Sequence, residues 1–225
     1  MPNRGKRIGE RTDAARSNVK TLRAQFSDRP LVLTTPGGVN WITGGLSDPV
    51  DVTASSDPVW AIESTNGRAL ITSAIEAPRL RGDFDLDALG WDVVTVPWYD
   101  AGAPLLAAAS FSGVSPEELL SDTEAFGSNV TTDIVRARLA LSEPEREDLR
   151  DLGADAARAL EAGIASWQPG VTSDFEVAAV VSRELERRGA KAVCLIVGGD
   201  ARLRTFRHPL AIGAVLHDAV MAVVV

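Results

Sequence analysis

"AKAVCLIVGGDARLRTFRHPLAIGAVLHDAVMAVVV", residues 190 to 225, sets two apolar runs on either side of a polar, glycine-bearing segment. Ala190 to Val197 is short and rich in β-branched residues, which predicts a strand. Asp218 to Val225 predicts a second one. Its apolar positions run on without polar alternation, the pattern of a strand covered on both faces. Gly198-Gly199-Asp200 opens the loop between them. Two helix patterns precede this unit. In "QPGVTSDFEVAAVVSRELERRG", residues 168 to 189, Pro169-Gly170 is a break, and Ser173 and Glu176 have the spacing of a capping box, worth about 1 kcal/mol. That helix is expected to run to Arg188 and stop at Gly189, a residue suited to the left-handed cap. Upstream, residues 136 to 167 predict one long helix with Pro144 in its first turn, where a missing N–H costs nothing. Leu149, Leu152, Ala156, Leu160, Ile164 and Trp167 form its apolar stripe. Helix, helix, strand, loop and strand make an α/β unit, so the sequence divides into 1–141 and 142–225.

The first region reads as a mixed sheet with helices. Residues 1 to 9 look like a loose polar lead, and helical spacing starts at Thr12, with Ala15, Val19, Leu22 and Phe26 on one side. Leu31 to Thr34 predicts a short strand, Pro36-Gly37-Gly38 a turn, and Val39 to Thr43 a second apolar patch. Residues 58–64 and 68–73 predict a hairpin through Thr65-Asn66-Gly67. Residues 91 to 99 predict a further strand. "PLLAAASFSGVSPEELLSD" is helix-like on both sides of Gly113, with Ser115 and Glu118 as a second capping box.

Composition excludes several functions. The chain has 225 residues, is 45% hydrophobic and 24% charged, and carries a formal net charge of -8. Those values suit a globular core and exclude the basic face of a non-specific nucleic-acid binder or a polybasic membrane protein. The 20 arginines and three lysines reflect coding bias rather than function. Positive charges cluster at Arg4, Lys6, Arg7, Arg11, Arg16 and Lys20, but no apolar segment follows them as in a secretory signal. No run is long enough to cross a bilayer. One cysteine, Cys194, allows no internal disulfide, which suits a reducing cytoplasm; within its apolar run it reads as a small buried hydrophobe.

Most short motifs fail on context. Gly198-Gly199-Asp200 lacks the following helix pattern and the Lys-Ser/Thr pair of a phosphate loop. Ser110, Ser112 and Ser115 lack a nucleophile elbow. Asp83, Asp85 and Asp87 lack a calcium-loop frame and read as a solvated loop. The five tryptophans are scattered and fit packing better than base stacking. His208 stands out, because it lies in a loop between two strands and is followed by Pro209; it is the candidate catalytic residue. His217 directly precedes the last strand and is a weaker candidate.

Taken in order, these pieces resemble the creatinase/aminopeptidase P-type M24 metallopeptidases. "LSEPEREDLRDLGADAARALEAGI" resembles the opening helix of their pita-bread domain. "PGVTSDFEVAAVVSRELERRGA" resembles the Pro-Gly turn, threonine and second helix, with Ser173 where Glu is usual. "CLIVGGDARLRTFRHPL" resembles the strand and His-bearing loop. "LHDAVMAVVV" resembles a Gly-Asp-x-Val strand, with His217 in place of Gly and Asp218 kept. "LVLTTPGGVNWITGG" and "ALITSAIEAPRL" resemble parts of the creatinase-type N-terminal domain.

The resemblance implies an α/β chain with a creatinase-type N-terminal domain over 1–141 and the first half of a pita-bread fold over 142–225. Such peptidases remove a residue that precedes proline, using two divalent metals such as Mn, Co or Zn held by two Asp, one His and two Glu. The creatinases use no metal and rely on histidine. In both, a histidine at the position of His208 handles a proton or a developing charge. The first metal Asp falls five residues after the Asp of the strand motif, and here that position is Val223, which has no lone pair to give. The remaining ligands would lie beyond Val225. The expectation is therefore a truncated or diverged homologue without a metal cofactor and without metal-dependent hydrolysis. The alternatives are a pseudoenzyme that binds a peptide or partner, and an unrelated α/β interaction module. Half of such a fold exposes a sheet edge, so the chain is expected to be a fragment, to form a homodimer, or to be unstable alone. A peptide is the expected ligand, with no nucleic acid and no membrane.

Overall fold

The computed structural model describes residues 4–46 and 54–225, and for residues 4–7 the backbone alone. The chain divides into two compact units, Met1–Glu145 and Arg146–Val225.

The first unit starts with α1, Arg4–Ala24, so the helix begins well before Thr12. Burial of Ile8 explains the extension. The Thr12 hydroxyl donates to the carbonyls of Ile8 and Thr43, at 2.8 and 2.9 Å, and ties these first turns down. Residues 1–3 of the expected loose lead lie outside the described residues. After β1, Leu31–Leu33, the expected Pro-Gly-Gly turn is instead the first turn of α2, Pro36–Thr43. The Thr35 hydroxyl accepts from the Gly38 N–H at 3.1 Å, and Pro36 has no N–H to satisfy. Gly38 serves packing: a Cβ there would come within 2.5 Å of the Asp122 carboxylate.

The hairpin forms as expected, with β2 at Val59–Ser64 and β3 at Gly67–Ser73. Gly67 turns it at φ 126°, where an L side chain is strained. Then follow α3, Ala77–Asp83, β4, Asp92–Val96, and α4, Ala103–Ser112. The Ser115–Glu118 capping box is present, but it caps only a 3₁₀ turn, Pro116–Glu118. The chain next enters β5, Leu120–Ser121, and β6, Ser128–Asn129, then α5, Thr131–Arg138. The sheet order is β4-β3-β2-β1-β5-β6, antiparallel across the hairpin and between β1 and β2, and parallel elsewhere. Both faces are covered. Leu31, Leu33, Leu70 and Trp91 belong to one core, and Val32, Ile62, Ile71 and Ala108 to the other.

The expected long helix is two helices, α5 and then α6, Glu143–Ala165, with Pro144 in the first turn of the latter. The expected stripe is packed only in part: Ala156, Leu160 and Trp167 join the hydrophobic clusters. Leu149 and Leu152 are about half exposed, at 52% and 50%, whereas Ala159 and Gly163 are buried. The reason is a close helix crossing: a Cβ on Gly163 would overlap the Val181 side chain. Small residues therefore set the contact with α7, Asp174–Glu186, which carries the expected Ser173–Glu176 capping box. The strand β7, Leu195–Gly199, leads into α8, Ala201–Thr205, a short helix where the sequence predicts only loop. The last strand, β8, Val220–Val224, pairs antiparallel with β7 from Leu195 opposite Val224 to Gly199 opposite Val220. Cys194 lies just outside β7 and is exposed rather than buried. Its backbone pairs with Val225 while its side chain lies at the open end of the ribbon.

Candidate functional site

Alternation sorts the β7–β8 ribbon into two faces. Leu195, Val197, Val220, Ala222 and Val224 pack into the hydrophobic clusters with α6 and α7. Ile196, Gly198, Met221 and Val223 therefore mark the outer face, because Ile196 pairs with Val223 and Gly198 with Met221. The His208 loop crosses this face. A Cβ on Gly198 would fall 2.7 Å from the Pro209 carbonyl oxygen and 2.9 Å from its Cβ, so Pro209 lies directly on the strand backbone. Pro209 is buried and His208 beside it is exposed. The structure thus places His208 next to the outer face on which Val223 stands.

The loop is held on both sides of His208. Arg202 donates from Nη2 to the Leu210 carbonyl at 3.0 Å, and its guanidinium lies 5.1 Å from the Phe206 ring centroid. Asp174, fully buried at the start of α7, accepts from the N–H groups of Ile212 at 3.0 Å and Gly213 at 2.7 Å. Gly213 has φ 82° and stands against the Phe175 ring. Trp167 donates from Nε1 to the Leu216 carbonyl at 3.2 Å. Asp200 accepts from His217, Asp218 and Ala219 at 2.9, 2.8 and 3.0 Å. Those N–H groups, Asp218 first, hold its carboxyl below the usual range. Neither carboxylate clamp was legible beforehand. A Ser-Asp pair at a helix start and an Asp after two glycines were the available signals, but the partners lie 17 to 39 positions away.

Of the other sequence candidates, His217 and Asp218 meet the end of β7 through their N–H bonds to Asp200. His217 and Asp218 are exposed at the entry to β8. In the first unit, Asp83, Asp85 and Asp87 line an open groove of about 620 Å³ with Arg81 and Asp92, and Asp85 accepts from the Ala88 N–H. Also in that unit, Glu63 is buried opposite Arg68 in the hairpin and 3.9 Å from Arg23. Burial raises its pKa, against the lowering by Arg68, Arg23 and Arg16. Among the described residues, no three His, Cys, Asp or Glu side chains come together as a group able to hold a metal. The outer face of the ribbon does not fit the metal pair that the resemblance implies. Ile196 and Val223 offer hydrocarbon and Met221 a thioether, none of them a hard donor.

No protein-family model and no curated protein matches the sequence. Solved structures do match the fold. An Xaa-Pro dipeptidase from Bacillus anthracis is 17% identical with a TM-score of 0.64, over 93% of this chain and 60% of that one. An X-Pro aminopeptidase from Thermotoga maritima is 15% identical with a TM-score of 0.65, over 91% and 58%. A dipeptidase from Mycobacterium ulcerans is 17% identical with a TM-score of 0.64, over 96% and 59%. The chain spans about 60% of the length of such structures. No helix among the described residues is long and apolar enough to cross a membrane. The expected architecture, a creatinase-type N-terminal α/β domain followed by the first half of a pita-bread fold, is thus the fold that this chain shares with Xaa-Pro peptidase structures.

Proposed function

We propose that this chain is an Xaa-Pro peptidase-like protein that engages a short peptide on the outer face of β7 and β8 without metal-dependent hydrolysis. It acts in the cytoplasm in this reading, and His208 is the side chain that meets the peptide carbonyl. The observation that supports it is the pairing of Val223 with Ile196 on the face that Pro209 crosses. By the resemblance, a metal carboxylate would stand at Val223. Val223, open on this face while its partner Ile196 is buried, and the exposed His208 imidazole suit contact with a proline ring and a neighbouring carbonyl. They do not suit a dication, which needs charged or oxygen donors.

The test is a calorimetric titration of the chain with Mn²⁺ and with Zn²⁺, together with NMR of the imidazoles on adding an alanyl-proline dipeptide. The sequence has only two histidines, so His208→Gln assigns the signals. The expected result is no one-to-one metal site and a dipeptide-dependent shift of the His208 signal alone. A stoichiometric metal site or metal-stimulated hydrolysis overturns the metal-free reading, and an unmoved His208 signal overturns the peptide reading. A second reading is metal-free, histidine-dependent hydrolysis, favoured by the way His208 is held exposed between anchored segments. Hydrolysis that resists chelator and disappears in His208→Ala would establish it.

A further inference from the structure

Arg204 in the last turn of α8 and Arg207 in the loop that carries His208 are both exposed. Among the described residues neither guanidinium makes an ion pair, unlike Arg183, Arg187 and Arg188 in the same unit. Such unpaired charge is notable in a chain of net charge -8. The loop's own acids do not offset it. Asp200 and Asp218 sit together at the neck of the segment, joined by the Asp218 N–H bond to Asp200, and among the described residues neither forms an ion pair with Arg204 or Arg207. Arg204 and His208 are four residues apart, so their backbones lie within about 14 Å. The intervening backbone is fixed by the Arg202–Leu210 bond and by Pro209 on Gly198. Phe206, Leu210 and Ile212 sit in the same loop and are large, apolar and exposed. Cations interleaved with apolar side chains on anchored backbone match a ligand of opposite charge and similar spacing.

We propose that the segment from Arg204, at the end of α8, to Ile212 is a recognition surface for an acidic peptide segment with interleaved apolar side chains. Carboxylates meet Arg204 and Arg207, and apolar side chains lie on Phe206, Leu210 and Ile212. The inference deepens the peptide-binding reading above and rests on it.

Three blocked pentapeptides test it by fluorescence anisotropy with the whole chain: glutamate alternating with leucine, and the same peptide with glutamine or with lysine in place of glutamate. The acidic peptide is expected to bind about tenfold tighter than the lysine peptide and to weaken with added salt. The double variant Arg204→Glu/Arg207→Glu changes exposed side chains only. It is expected to lose the acidic peptide and gain the lysine one, with an unchanged circular dichroism spectrum. Equal binding of all three peptides, or a charge reversal that leaves the preference intact, overturns this inference and leaves the peptide reading standing. No binding of any of the three peptides also overturns this inference, and the alanyl-proline titration of His208 decides the peptide reading separately. Displacement of the acidic peptide by inorganic phosphate at equal charge assigns the loop to phosphate and overturns the peptide partner.

Discussion

β3 and β8 look alike in sequence and differ in the fold. Each has an unbroken apolar stretch, Ala69 to Ile71 in β3 and Val220 to Val224 in β8. β3 lies inside the six-stranded sheet, hydrogen-bonded to β2 and β4, with Leu70 in one core and Ile71 in the other. β8 is bonded to β7 alone, and only its inner face is packed. Val223 on its outer face is 38% exposed, whereas Leu70 is fully buried. An apolar run therefore tells which residues prefer cover, not how much they receive. Coverage depends on how many elements the surrounding chain supplies.

Four substitutions break or sharpen that contrast. Leu70→Ala removes a side chain packed on every side and is expected to cost about 3 kcal/mol, read as a shifted urea midpoint. Asp174→Ala leaves two loop N–H groups without their acceptor, for about 2 kcal/mol. Hydrogen exchange is expected to show the loss at Ile212 and Gly213 first; protection there equal to the parent's would contradict the clamp.

Glu63 in the first unit and Asp200 in the second contribute pH dependences of opposite sign. Glu63 in the first has a raised pKa, caused mainly by burial. Its contribution to stability is complete below the unfolded-state value and falls as pH rises through the folded one. Glu63→Gln is expected to flatten that fall in thermal midpoints measured from acid to neutral pH. Asp200 in the second has a lowered pKa. Its contribution is complete above the unfolded-state value and is lost as pH falls through the folded one. Glu63→Gln is expected to leave that acid-side loss in place. The smallest effect belongs to Val223→Ala. At a half-open position it is expected to change stability by no more than about 0.5 kcal/mol, and a loss near that of Leu70→Ala would show that β8 is covered after all.

Local signals were the ones the sequence displayed clearly. Asn66-Gly67 marks the hairpin, and Ser115–Glu118 and Ser173–Glu176 mark capping boxes, because each is settled within four residues. The misreadings are tertiary. Pro36-Gly37-Gly38 has turn composition, but Thr35 caps it as a helix and Asp122, far along the chain, requires Gly38. The stripe of α6 suggests burial along its length, but the tight crossing at Gly163 confines it to the later turns and leaves Leu149 and Leu152 open. At the candidate site, His208 and Val223 could be named from sequence. That Pro209 lies on Gly198, so that both belong to one face, required the strand register. The carboxylate clamps were hidden for the same reason, since backbone N–H donors leave no residue-type signature on the partner strand or loop.

Asp200 illustrates how such a clamp restricts what evolution can substitute. Its backbone sits at φ 53° and ψ -133°, a region that ordinary side chains avoid and glycine accepts. Its carboxylate meanwhile serves three N–H groups. Glycine would relax the backbone and abandon the acceptor, while glutamate would carry an acceptor on a backbone that resists the conformation. Asparagine alone keeps something of both. Drift at position 200 is thus confined to a narrow path in sequence space, and a chain that leaves that path must rebuild the whole crossing from α8 to β8.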